Sequence, residues 1–171
     1  MEILIKLILS NPALSLFILG LVIAGIKILL IRHNLTKKLA AEAFVSYYFL
    51  FAIGIGYMDN FVMHTIFADF TAKFIGWENS PFQYEVGWVS LGIGIAGIIA
   101  FKNNFNFRLA TLIVPTVFLW GSAGGHIYQI IEAGNHAQGN AGSILYTDIF
   151  IPVVGIVLLV WSWKEGQSDS M

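Results

Sequence analysis

Long apolar stretches separated by short polar breaks dominate the chain. Five of them reach the roughly 20 residues that a membrane-crossing helix needs. They run from about Pro12 to Ile31, Leu39 to Phe67, Pro81 to Phe101, Phe107 to Ile131 and Ser143 to Trp163. The pattern predicts an all-α fold, a polytopic transmembrane bundle of five spans in which spans two to five form a four-helix core. Two starts are written clearly. Asn11 stands where an N-cap belongs, with Pro12 at the first helical position. Ser80 is expected to cap the third span, with Pro81 next and Gln83 closing a capping box. Residues Met1 to Ser10, which include Glu2 and Lys6, read as an interfacial helix or a continuation of span one rather than a cleaved signal peptide.

Composition supports this class. Of 171 residues 57% are apolar and 11% charged, and mean hydropathy is +0.78. A soluble fold of this size could not hide so much apolar surface. The lipid bilayer is therefore the first partner. A net charge of −1 with no basic stripe argues against nucleic acid. Cysteine is absent, which excludes disulfides, thiolate metal sites and a Cys nucleophile. No internal repeat or linker divides the chain, so residues 1–171 read as a single domain.

Basic residues set the expected orientation. Lys27, Arg32, Lys37, Lys38, Lys102, Arg108 and Lys164 fall toward one side, and Lys6 and Lys73 toward the other. The richer side should be cytoplasmic, in a plasma membrane, with the N-terminus outside and the C-terminus inside. Glu42, near the inner interface, is expected to pair with Lys38.

Antiparallel threading carries most of the remaining polar residues to the outer half. The end of span two brings Asp59, Asn60 and His64, and the start of span three brings Gln83 and Glu85. The end of span four brings Ser122, His126, Gln129 and Glu132, and the start of span five brings Tyr146 and Asp148. Asp59 and His64 diverge by roughly 140° on an ideal helix. Glu85 shares a stripe with Gly92, and Asp148 with Gly155; small residues mark close helix approach, so both acids are expected to face the bundle. Ionised groups at such depth cost about 2.5–3.5 kcal/mol each at the bilayer centre. They must pair, neutralise, bind something or line a wet cavity.

Three readings satisfy them. In the sharpest, His64, Glu85, His126 and Asp148 hold one divalent metal, Zn, Fe or Mn, with Asp59, Asn60, Gln83, Gln129, Glu132, Asn140 and Tyr146 supporting them or touching a ligand. In the second, a metal-free outward pocket binds a small molecule, relays protons or performs acid–base chemistry, with the Gly134–Gly142 loop as a lid. A haem held by His64 and His126 is a variant. In the third, the polar groups only lock helices together. A small proton- or solute-coupled transporter is the alternative function, disfavoured by the apolar inner half.

Two blocks carry a resemblance. Gly76-Trp77 with Ser80-Pro81-Phe82-Gln83-Tyr84-Glu85-Val86-Gly87 forms one. Gly125-His126, Gly134-Asn135, Gly139-Asn140-Ala141-Gly142, Asp148 and Pro152 form the other. Over about residues 40–160 the chain resembles an uncharacterised family of small bacterial integral membrane proteins. The resemblance implies a polytopic inner-membrane protein and assigns no activity or catalytic residue.

Overall fold

The computed structural model describes residues 10–167. The expectation for the segment before Ser10 lies outside the described residues. Helices account for nearly all of the rest, and no strand occurs among the described residues. We label them α1 (Pro12–Leu30), α2 (Lys37–Thr65), α3 (Ala68–Ile75), α4 (Phe82–Ala100), α5 (Phe105–Ala133), α6 (Gln138–Ala141) and α7 (Ser143–Gln167). Five are long and apolar enough to cross a membrane: α1, α2, α4, α5 and α7 continued backward by α6. Each expected span has its helix.

Local chemistry explains most ends. The Asn11 side chain accepts from Leu14 N–H at 2.9 Å, and Pro12 follows it. Thr36 caps α2 and Asn104 caps α5 in the same way. The capping box expected at Ser80 does not form. Ser80 gives only its backbone carbonyl, to Gln83 N–H at 3.0 Å, because the Gln83 side chain turns inward to His64. Gly76 ends α3 and Gly134 ends α5, both with positive φ, a conformation glycine adopts without strain.

α2 is the central helix and packs against α1, α4 and α7, while α5 packs on α7 and α4. α4 approaches α2 through small residues. A Cβ on Gly97 would stand 2.6 Å from the Gly54 backbone nitrogen, so glycine alone permits this contact. α1 adds one face, Phe17, Gly20 and Ala24, to the core of the other spans. In the middle of α2, Phe49–Ile55 forms a π-helical stretch. Such stretches re-phase a helix and gather at functional positions.

Halfway along the bundle an apolar plug closes it: Val45, Tyr48, Phe49, Ile53, Leu112, Ile151 and Leu158 are all buried. The Tyr48 hydroxyl donates to the Ile151 carbonyl at 3.1 Å across Gly155, whose missing side chain leaves room for the ring. The outside is clad in exposed apolar side chains, among them Val22, Leu29, Ile95, Ile99, Val117 and Val157.

Below the plug sits Arg108. It lies in α5, 3% exposed, and its guanidinium grips the Glu42 carboxylate in two bonds of 2.8 and 2.7 Å. It also donates to Ser46 Oγ and to the last carbonyls of α4, Ala100 and Phe101, each at 2.9 Å. The planar five-donor fork suits this arrangement, since one side chain satisfies a carboxylate and a helix C-terminus together.

Candidate functional site

Above the plug, α1, α2, α5 and α7 enclose a cavity of about 320 Å³. Its polar lining consists chiefly of Asp59, Asn60, His64, Ser122, His126 and Asp148, and its walls include Tyr57, Met63, Phe70, Trp77 and Phe118. α3 and the α5–α7 connection form a roof. Asn135 ties the two halves of that roof together, donating to the carbonyls of Ile75 and Gly76 at 3.0 and 3.3 Å. Gly139 packs directly on Phe74.

The best-defined group in the site is His126, on the buried face of α5. Asn140, 0% exposed, approaches it from the roof. The Asn140 amide nitrogen donates to the carbonyls of His126 (3.2 Å) and Asn135 (2.9 Å). Its oxygen must therefore face the ring, and it lies 2.8 Å from His126 Nδ1. An amide oxygen only accepts, so Nδ1 carries a proton. The other nitrogen, Nε2, is turned to the Asp148 carboxylate at 3.6 Å, beyond hydrogen-bond reach. Trp77 stands beside the imidazole, ring centroids 5.8 Å apart.

His64 is held at Nδ1 by the Gln83 amide oxygen, and Asn60 donates to Ser90 Oγ at 2.8 Å. Asp59 and His64 do point along different directions of α2, as helix geometry requires. The cavity is wide enough that both line it, one on each flank of a face formed by Ala52, Gly56, Asn60 and Met63.

Glu85 does not join them. It is exposed and absent from the cavity wall. The buried face of α4 carries Gln83, Gly87, Ser90, Gly94 and Gly97. Glu85 sits two residues from both Gln83 and Gly87, about 200° round the helix. Its neighbour on the stripe, Gly92, faces open space instead of a packed helix. The four expected metal ligands are thus not brought together, and among the described residues no three His, Asp or Glu converge as a metal-binding group. Glu132 and Tyr146 are also exposed and lie outside the cavity, and Gln129 is half-buried outside it.

Sequence reasoning missed Tyr57. It is 5% exposed, it lines the cavity, and its hydroxyl has no hydrogen-bond partner among the described residues. A signal was present, since Tyr57, Asn60 and His64 follow helical i, i+3, i+7 spacing. Asn11 has a second role that its capping function concealed: its amide nitrogen donates to Ser143 Oγ and Thr147 Oγ1, pinning α1 to α7 beside the site.

Residues 10–168 fit the family of unknown function DUF6790, and the chain belongs to that family. No curated protein and no solved structure matches it.

Proposed function

We propose that this DUF6790 member is an integral membrane protein that binds a small molecule in the cavity above the plug. The reading rests on one observation before all others: His126, fixed by Asn140, is turned to Asp148 across a gap too wide for a hydrogen bond, on the wall of a mostly apolar cavity. Small-molecule sites have this character, apolar walls with a few oriented polar groups. Purely structural groups in a lipid-facing bundle would instead be expected to close their bonds on one another. The exposed apolar cladding is the surface that lipid tails would cover.

Lys27, Arg32, Lys37, Lys38, Lys102 and Lys164 cluster at the opposite end of the bundle. By the positive-inside rule that end is cytoplasmic and the cavity faces outward. The apolar plug between cavity and cytoplasm favours binding over transport. The donor set favours an organic ligand over a metal ion, since Glu85 lies outside the cavity.

Because the chain has no cysteine, a single Ser122→Cys variant reports on the cavity directly. Intact cells are treated with a small membrane-impermeant thiosulfonate. The reading expects labelling of Ser122→Cys, and none of Leu158→Cys in the plug. Labelling of the exposed surface control Tyr84→Cys with none of Ser122→Cys would refute an outward-open cavity.

A further inference from the structure

We infer that the ligand of this cavity is a small organic cation, a protonated amine on an apolar body. The inference rests on the small-molecule reading above and narrows it. It follows from counting which lining groups still have a hydrogen-bond donor to offer.

The hydroxyls around the cavity have mostly spent theirs on backbone carbonyls. Thr71 donates to Met63 at 2.7 Å, Ser122 to Phe118 at 2.9 Å and Thr147 to Ile144 at 2.8 Å. The Asn11 amide nitrogen gives both of its N–H groups, to Ser143 and Thr147, and the Asn60 amide nitrogen gives one of its two to Ser90, so that the second Asn60 N–H and the Trp77 indole N–H are the donors left on the wall besides the Tyr57 hydroxyl. No Lys or Arg is among the described lining residues.

Acceptors remain in excess. Asp59 makes no hydrogen bond among the described residues, and Asp148 has only the 3.6 Å approach of His126. Asn140 occupies His126 Nδ1 and leaves Nε2 turned toward Asp148, and in a neutral ring that nitrogen is one more acceptor. The Asn60 amide oxygen, opposite the nitrogen that Ser90 engages, accepts no hydrogen bond among the described residues. The Tyr57 hydroxyl, buried and unpartnered, can accept as well as donate. A carboxylate or phosphate would meet this wall acceptor to acceptor. An ammonium brings three donors and no acceptor, and its positive charge offsets the buried Asp148 and the half-buried Asp59. The remaining walls, Phe70, Phe74, Trp77 and Phe118, offer apolar area and ring faces that attract cations. A volume of 320 Å³ corresponds to about ten waters, which limits the body to roughly one ring and a short chain.

The test compares three molecules that share a phenyl body and a short chain and differ in the head: phenethylamine, 2-phenylethanol and hydrocinnamate. Binding to the purified full chain in detergent is measured by calorimetry. The amine should bind at least about tenfold tighter than the alcohol, a gap of about 1.4 kcal/mol, and hydrocinnamate should not bind. Asp148→Asn should weaken the amine by about the same factor and leave the alcohol unchanged. If that variant does not elute as a folded monodisperse protein, Asp59→Asn takes its place. Alcohol binding as tight as amine binding, or amine binding indifferent to both Asp variants, would overturn the cation inference and leave the small-molecule reading standing. Failure of all three to bind would remove both.

Discussion

His126 Nε2 stands 3.6 Å from the Asp148 carboxylate, while Asn140 holds the opposite ring nitrogen at 2.8 Å. One side of the imidazole is closed and the other open to the cavity. Asn140 is therefore the residue that makes the arrangement possible, through three bonds from a fully buried side chain. Asn140→Ala should cost about 1–3 kcal/mol, since it strands a buried ring N–H and removes the donor to the Asn135 carbonyl. Reversible unfolding in mixed micelles checks the value. A loss below about 0.5 kcal/mol, the level of a neutral surface change, would show that the roof does not hold the ring.

Two acids of the same chain should behave oppositely. Asp148 is buried against the cavity, whereas Glu85 is exposed on the far face of α4. Asp148→Asn should change binding of phenethylamine, and Glu85→Gln should leave both binding and melting temperature within error. A binding defect in Glu85→Gln would return that residue to the site.

Arg108 predicts a stability effect at the other end. It is buried and joins α2, α4 and α5 through Glu42, Ser46, Ala100 and Phe101. Removing one member of a buried pair costs about 3–5 kcal/mol. Arg108→Ala should fall near the lower bound, because the Glu42 side chain is 46% exposed and water can reach the carboxylate left behind. Glu42→Gln should cost less than Arg108→Ala, because an amide can still accept from the guanidinium. Equal losses, read from denaturant midpoints, would show that the retained amide acceptor contributes nothing and that the Glu42 charge carries the whole effect.

Glycines on α4 separate packing from open space. Gly97→Ala drives a methyl to 2.6 Å from the Gly54 backbone, whereas Gly92→Ala meets nothing within 4 Å. Overpacking should cost Gly97→Ala about 1–3 kcal/mol, and Gly92→Ala should be neutral or slightly stabilising through helix propensity. Thermal melting of the two variants side by side decides it.

These contrasts also mark what could be read from the residues alone. Span positions followed from the length of apolar runs, and the cap at Asn11 from residue type, since both are local properties. Gathering of His64, His126, Asp59 and Asp148 at one end followed from antiparallel threading. Facing was harder. Glu85 was placed by its stripe with Gly92, but small residues run on both faces of α4, and only the stripe through Gly87, Gly94 and Gly97 packs against α2. A single sequence does not show that Glu42, 66 positions away, is the partner of Arg108. Asn140 stands among the expected supporting residues, but its hold on His126 joins segments apart in sequence, and Tyr57 has no role that residue type alone would give it.

Asn140 fixes the His126 proton on Nδ1 and thereby directs Nε2 to the cavity. The chain has only four histidines, so nitrogen NMR of the histidine-labelled protein in micelles tests it directly, with His126→Gln supplying the assignment. The account predicts a long-lived Nδ1–H signal for His126 that collapses to an exchanging, tautomer-averaged ring in Asn140→Ala. A His126 ring whose Nδ1 lacks a proton in the unaltered protein, or one unaffected by Asn140→Ala, would contradict it.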